Sequence, residues 1–398
     1  MQDFNCFDWA LGHLSSTINN GGSMAGYLFT FSKEEEATEC MKRGAYSTLM
    51  NPKLSSATEA TLGDYVTMRP GDNVYFFSKR KIYGIGKIDS FEGGAAVIEN
   101  FKGATSTETI DIDKACLEAA YKDARDDKRI GRWIIKFTAD PALFKTSVDM
   151  DDLLLSNPSA FRSLRVFEKR SFIKLDDDEN AAFKAAVLRA NWPNGQTIEI
   201  NQPDWLRNIS APTGLQIKSL LSSNRQDCGS LSKEMLLEVG LLSQLALQEV
   251  ETEKVFGHWD YLDHQVPASP NKPVMYMDRM DVFGYRWIPD TDRIVEKYIV
   301  AELKKDIAQG TDIAQVMRYV DWVRSEYAHS GYAMIEAYLV ARSFDTDSLK
   351  RHMAEMVRYD VKGRPPMTHR WLSLKFVQYE VKEDGAIAFL PVSLDGDR

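Results

Sequence analysis

The sequence predicts an α/β (α+β) chain of two unequal parts joined by a polar connector, and three observations carry that expectation. Residues 229–398 alternate helix-like and strand-like runs in an order that suits a mixed sheet flanked by helices. Residues 1–192 hold short aromatic strands punctuated by Gly and Pro turn signals. Residues 193–228 are rich in Pro, Asn, Ser and Gly, as in PNGQ and SAPTG, and read as a connector with one short helix near 213–222.

Each element has a local reason. GYLFTF at 26–31 is a short aromatic strand, and KEEEATECMKR at 33–43 is a helix that Gly44 ends by accepting a left-handed backbone. Pro70-Gly71-Asp72 is a turn signal, followed by the β-rich runs VYFFS and IYGIGKI on either side of the basic tip Lys79-Arg80-Lys81. RWIIKFT at 132–138 is another strand. Residues 158–191 read as a short helix, a strand, and a helix started by Asp176-Asp177-Asp178-Glu179, whose charges suit a helix N-terminus. The third block opens with the helix SLSKEMLLEVGLLSQLALQEV and ends in the strand-like runs RWLSLKFVQYEV and AIAFLPV.

Composition narrows the function classes. The 398 residues are 44% hydrophobic and 27% charged, globular values that exclude a disordered, collagenous or disulfide-stapled chain. No run approaches about 18 apolar residues, so no membrane partner is expected. MQDFNCFDWALGHL lacks the basic and apolar regions of a secretory signal, so a cytoplasmic location is expected. Forty-nine Lys and Arg against 58 Asp and Glu leave a net charge of −9, which argues against a passive nucleic-acid coat. An enzyme acting on nucleic acid remains open, because the local field at a cleft is what matters. Cys6, Cys40, Cys116 and Cys228 form no CxxC pair, and His258 and His264 have the wrong spacing for H-E-x-x-H. There is no G-x-S-x-G elbow and no P-loop, and Gly84-Ile85-Gly86 lacks a third glycine and a following helix.

The chemistry concentrates in 276–323. If Ile299 to Lys304 is a strand, then Val300, Glu302 and Lys304 share one face and Ala301 and Leu303 the other. That places a carboxylate and a lysine side by side at the end of an apolar strand, with their tips expected in a cleft rather than the core. Met280-Asp281-Val282-Phe283 is a second β-like run, and Pro289 to Asp292 supplies a turn, so the two runs can pair as a hairpin with Asp281 converging on Glu302. Two carboxylates suit a hard, hydrated cation such as Mg2+ (or Mn2+). A neighbouring lysine can orient or deprotonate a water. The same triplet also reads as a simple strand-end salt bridge between Glu302 and Lys304.

These residues resemble the PD-(D/E)xK nuclease superfamily, with Asp281 as the lone Asp and Glu302-Leu303-Lys304 as the (D/E)xK element. Gln315 to Tyr319 fits the Q-x-x-x-Y helix of RecB-like and NucS-like branches, and DRMDVF stands where NucS-like proteins carry G-R-x-D, with the first glycine missing. The resemblance covers about 229–360. It implies a restriction-endonuclease-like mixed sheet, a metal held by Asp281, Glu302 and a carboxylate from the preceding helix, and DNA as partner. Glu238 is the candidate for that further carboxylate, with Glu234 one turn away. Gln315 and Tyr319 are expected to line the groove and contact DNA backbone, although Tyr319 and Trp322 also read as core. Lys350, Arg351, Arg358, Lys362, Arg364 and Arg370 read equally as a phosphate-tracking wall or a solvated charged face.

Residues 24–190 resemble a PUA/EVE/YTH-type β-barrel module through GYLFTF, RPGDNVYFF, IYGIGKI and PSAFRSLRVFEKRSF. The resemblance implies nucleic-acid sensing on aromatic side chains, with Tyr27, Phe29, Phe77, Tyr83 and Trp133 as pocket candidates, although most of them read first as filling of the barrel interior. Arg162, Arg165 and Lys169 recur at helical spacing and suit phosphate contact or a plain surface face. Together the parts suggest a Mg2+-dependent DNA endonuclease of restriction or antiphage defence, similar to Shedu-type nucleases, working as a homo-oligomer (dimer or tetramer). A NucS-like repair nuclease and a catalytically inactive nucleic-acid-binding protein on a nuclease fold are the rival readings.

Overall fold

A computed structural model describes residues 24–49, 56–91, 94–95, 97–98, 132–161, 171–202, 215, 217–268, 277–291, 293–329 and 331–394. Arg162, Arg165 and Lys169, with the short helix expected around them, lie outside the described residues.

The first sheet contains β1 (Gly26–Phe31), β2 (Ala45–Leu49), β3 (Asn73–Ser78), β4 (Lys81–Ile88), β5 (Arg132–Ala139) and β6 (Phe172–Leu175). Their order is β6-β1-β3-β4-β5-β2, with β1 and β3 parallel and the other pairs antiparallel. The sheet curls into a half-barrel; among the described residues β6 and β2 do not pair. Side chains close that seam instead. Tyr46 of β2 lies 5.1 Å from the ring of Phe172 of β6, and Tyr65 lies 5.2 Å from the same ring.

The local signals act where the sequence puts them. Helix α1 (Glu34–Arg43) ends on Gly44 at φ 66°, whose N–H donates to the carbonyls of Cys40 and Met41. Lys79 and Arg80 both take left-handed backbone, at φ 50° and 65°, and so turn β3 directly into β4. Helix α2 (Ser56–Thr67) carries Tyr65, helix α3 is Met150–Ser156, and α4 (Asp177–Asn191) starts with a capping box made by Asp176 and Glu179.

After helix α5 (Ile217–Ser223) come α6 (Glu234–Ala246) and α7 (Val250–Phe256), then the second sheet. It contains β7 (Tyr261–Pro267), β8 (Arg279–Trp287), β9 (Val295–Ala308) and β10 (Ile335–Phe344). A two-stranded hairpin, β11 (Arg358–Lys362) and β12 (Met367–Trp371), stands apart from it, before β13 (Leu374–Val381) and β14 (Ile387–Val392) complete it. The order is β7-β8-β9-β10-β13-β14, with β9, β10 and β13 mutually parallel and the rest antiparallel. Helix α8 (Gly310–Glu326) connects β9 to β10, and α9 (Thr346–His352) follows β10. The chain is therefore mixed α/β, as expected. The edge strand β7 and the β11–β12 hairpin were not anticipated.

One buried apolar cluster crosses the boundary between the blocks. It runs from Tyr27 and Phe29 through Leu62 and Tyr65 of α2 to Leu237 and Leu241 of α6, and on to Val300 and Val320. Lys174 of β6 adds a polar tie. Its Nζ donates to the Leu262 carbonyl at 2.6 Å and to Thr67 Oγ1 at 3.0 Å, between the rings of Tyr27 and Tyr261.

Candidate active site

Strands β8 and β9 pair as the sequence predicts. Val282 faces Ala301 and Phe283 faces Val300. Continuing that register one step sets Asp281 opposite Glu302, on the same face of the sheet. Asp281 Oδ2 accepts from the Leu303 N–H at 2.8 Å, so the backbone of β9 fixes the carboxylate.

Glu302 is 2% exposed, so its tip is buried, which corrects the expectation of an open cleft. Lys304 folds back over it. Lys304 Nζ donates to Glu302 Oε1 at 2.5 Å, so the strand-end salt bridge is present. Glu302 Oε2 is buried and has no hydrogen-bond partner among the described residues. A buried carboxylate oxygen without a donor is costly unless something cationic or hydrogen-bonding reaches it.

Helix α6 brings two more carboxylates. Glu234 Oε2 accepts from the Lys305 N–H at 3.2 Å, and its Oε1 lies 3.9 Å from Lys304 Nζ. Glu238 is buried, with Oε1 2.6 Å from His264 Nδ1 and Oε2 accepting from Gln265 Nε2 at 2.7 Å. Both oxygens of Glu238 are thus held by protein groups. It therefore holds its neighbours in place, from the helix position where a further metal carboxylate was expected.

Crowding shows in the acidities. Burial, then the charges of Glu302 and Glu238, raises the Asp281 pKa well above the carboxylate range. Burial raises that of Glu302 to about 7 against the opposing pull of Lys304. For Lys304, burial favours the neutral amine, but Glu302, Glu234 and Asp281 outweigh it and raise its pKa, so it is an ammonium.

Helix α8 supplies the remaining wall. Gln315 Nε2 donates to the Tyr319 hydroxyl at 2.8 Å. The Tyr319 ring is buried, and its hydroxyl feels the charges of Glu302 and Asp281, so the helix does face the carboxylates. Val316, Val320 and Val323 form a buried stripe beside it.

The acidic pair fits a divalent cation as a two-carboxylate set. Asp281 and Glu302 offer oxygen donors, and the orphaned Glu302 oxygen is one of them. Among the described residues, no group of three His, Cys, Asp or Glu is gathered as a ready-made cage.

The N-terminal candidates are elsewhere. Tyr27, Phe29, Phe77, Tyr83 and Trp133 are all buried. The Tyr27 ring lies against Lys174, and Trp133 packs edge-on to Tyr65 at 5.5 Å. Tyr27, Phe29, Tyr83 and Trp133 belong to the cluster that fills the half-barrel and Phe77 to a second apolar cluster with Tyr75 and Phe183, so at Tyr27 and Trp133 the barrel-filling reading replaces the aromatic base pocket. Of the basic candidates, Arg358 is locked onto both oxygens of Asp321 at 2.7 and 2.9 Å, whereas Lys362, Arg364 and Arg370 are exposed on the β11–β12 hairpin.

The sequence reading missed Gln265 and His264. The only available signal was their place in a β-like run just before Asp281, and an amide there is indistinguishable from a surface strand residue.

No family model matches this sequence. No curated protein matches it. Among solved structures, an X-ray structure of an Agrobacterium tumefaciens protein is similar at 13% identity, over 43% of this chain and 99% of its own, with a TM-score of 0.25. At that score it does not define the fold. Among the described residues, no helix is long and apolar enough to cross a membrane.

Proposed function

We propose that this protein is a metal-dependent DNA endonuclease that hydrolyses phosphodiester bonds, with a PD-(D/E)xK-type site at Asp281, Glu302 and Lys304. The observation that carries the proposal is the buried, unpartnered Oε2 of Glu302, beside Lys304 and opposite Asp281. A structural salt bridge needs one carboxylate oxygen. It gives no reason to bury a second oxygen without a donor next to another carboxylate.

Asp281 and Glu302 would hold Mg2+ or Mn2+, which when bound lowers the pKa of a water and offsets charge on a phosphate. Asp281 enters the reaction pre-oriented by the Leu303 amide. Lys304, kept as an ammonium by its acidic neighbours, acts by donating hydrogen bonds, to an attacking water or to a phosphate oxygen, rather than by taking a proton. Gln315, held by the hydroxyl of the buried Tyr319, lies on the wall along which the DNA backbone passes. The exposed Lys362, Arg364 and Arg370 extend a phosphate-binding surface on a chain whose net charge is −9.

The proposed setting is restriction or antiphage defence. Support comes from the union of a half-barrel and a mixed sheet on one continuous core, a build that would let one part bind nucleic acid while the other cuts. The deciding experiment is incubation with plasmid, linear and modified phage DNA in Mg2+, Mn2+ or EDTA. Cleavage with either metal and none with EDTA is expected. No cleavage of any substrate would leave a nucleic-acid-binding protein on a nuclease-like sheet.

A further inference from the structure

Gln265 is set opposite Asp281 on the edge strand: its neighbours pair as His264 with Val282 and Val266 with Met280. Its backbone is left-handed, at φ 50°, in the middle of a strand. Such a conformation costs a non-glycine residue on the order of 1–3 kcal/mol and persists only where its surroundings over-determine it. They do so here. Gln265 Nε2 donates to Glu238 Oε2 at 2.7 Å and to Asp281 Oδ1 at 3.0 Å, and the Gln265 carbonyl accepts from Arg279 Nη1 at 3.1 Å.

Asp281 is then held at both oxygens, Oδ2 by the Leu303 amide and Oδ1 by Gln265. A neutral amide is the side chain suited to that task. One NH2 offers two protons to two carboxylates without adding charge, so the pair keeps its attraction for a cation. A lysine there would neutralise the pair, and a glutamate could only repel it.

Behind Gln265 the contacts continue into the N-terminal block. Glu238 Oε1 is 2.6 Å from His264 Nδ1, and His264 Nε2 is 3.6 Å from Asp64 Oδ1 on α2. Next to Asp64, a Cβ on Gly63 would come within 2.5 Å of the His264 ring, so glycine is what lets α2 approach this closely.

We propose that Gln265 is a positioning residue for Asp281, and that the Asp64–His264–Glu238 chain sets its amide, so that docking of α2 onto α6 and β7 fixes the geometry of the acidic pair. The role given to Asp281 rests on the nuclease proposal above. Gln265 itself touches no substrate.

The test uses the full chain, plasmid DNA as substrate and Mn2+ alone as the binding probe. Glycine suits a left-handed backbone, so in Gln265→Gly the relieved strain should offset part of the loss of two hydrogen bonds, and the variant should stay folded with one cooperative melting transition. It should nevertheless lose roughly tenfold to a hundredfold in kcat and in Mn2+ affinity measured by calorimetry, with KM for DNA little changed. Asp64→Asn should lower both in the same direction, and the double variant should lose less than the sum of the two. Wild-type kcat and Mn2+ affinity in Gln265→Gly would overturn the positioning role. Full additivity with Asp64→Asn would overturn the chain through His264. If the wild-type protein cuts no DNA, the nuclease proposal falls, while the Mn2+ titrations still decide whether Gln265 positions Asp281.

Discussion

Lys304 Nζ sits 2.5 Å from one oxygen of Glu302, and the other oxygen of that buried carboxylate has no hydrogen-bond donor among the described residues. In the nuclease proposal the ion pair is half of the site. Asp281→Ala, Glu302→Ala and Lys304→Ala should each reduce metal-dependent DNA cleavage by about a hundredfold or more, because each removes a group aimed at charge in the reaction. Lys304→Ala should keep Mn2+ binding in calorimetry, while the two carboxylate variants lose it. Folded variants, shown by circular dichroism, that cut at wild-type rates would contradict the assignment.

The exposed hairpin should govern affinity more than chemistry. Replacing Lys362, Arg364 and Arg370 together with Ala should weaken binding to all DNA sequences alike and lower the slope of log K against log salt by about one per phosphate contact removed. Fluorescence anisotropy between low and moderate salt reads this directly. An unchanged slope would make the hairpin a solvated surface.

Stability should fall as pH rises. Burial opposes charge on His264, but Asp64 and Glu238 outweigh it and raise its pKa to about 10 from an ordinary 6.5. The stability it contributes is complete below about pH 6.5 and is lost as pH rises toward about 10. Burial also raises Asp72 to about 7 against Lys174, so its contribution is lost earlier, between about pH 4 and 7. Urea unfolding of wild type and His264→Gln at pH 7 and pH 9 checks the upper window. Wild type should lose more stability across it than the variant does.

Lys174→Ala should destabilise the chain by about 3–5 kcal/mol, since it strips a buried cation from Asp72 and Asp263 and leaves the Leu262 carbonyl without its donor. Because one apolar cluster spans both blocks, urea unfolding of the wild type should show a single transition. Two separated transitions would make the blocks independent.

On the nuclease proposal a homo-oligomer, dimer or tetramer, is the expected assembly, because a two-fold pair of sites matches the antiparallel strands of a duplex. Light scattering should give at least twice the 45.2 kDa chain mass. A particle of one chain mass that still cuts both strands would contradict it.

The sequence by itself determined the local features. Apolar runs, the Gly44 cap, the Asp176 capping box and the Lys79-Arg80 turn each depend on residues close together in the chain, so their physics can be read there. It also placed Glu302 and Lys304 on one strand face, and Asp281 on the strand that pairs with it, because side-chain alternation and a short turn leave little freedom. The tertiary structure alone decided which groups complete the site. Gln265 and His264 acquire their roles from contacts with Glu238 and Asp64, residues 27, 26 and about 200 positions away, and no periodicity encodes such pairings. Burial was decided in the same way. Tyr27 and Trp133 read first as barrel filling and second as pocket members in one dimension, and the packing of α2 over the half-barrel decided for core. Glu302 is buried for the same kind of reason: Lys304 beside it and the helices around it close over a strand that, taken alone, points into solvent as readily as into a core.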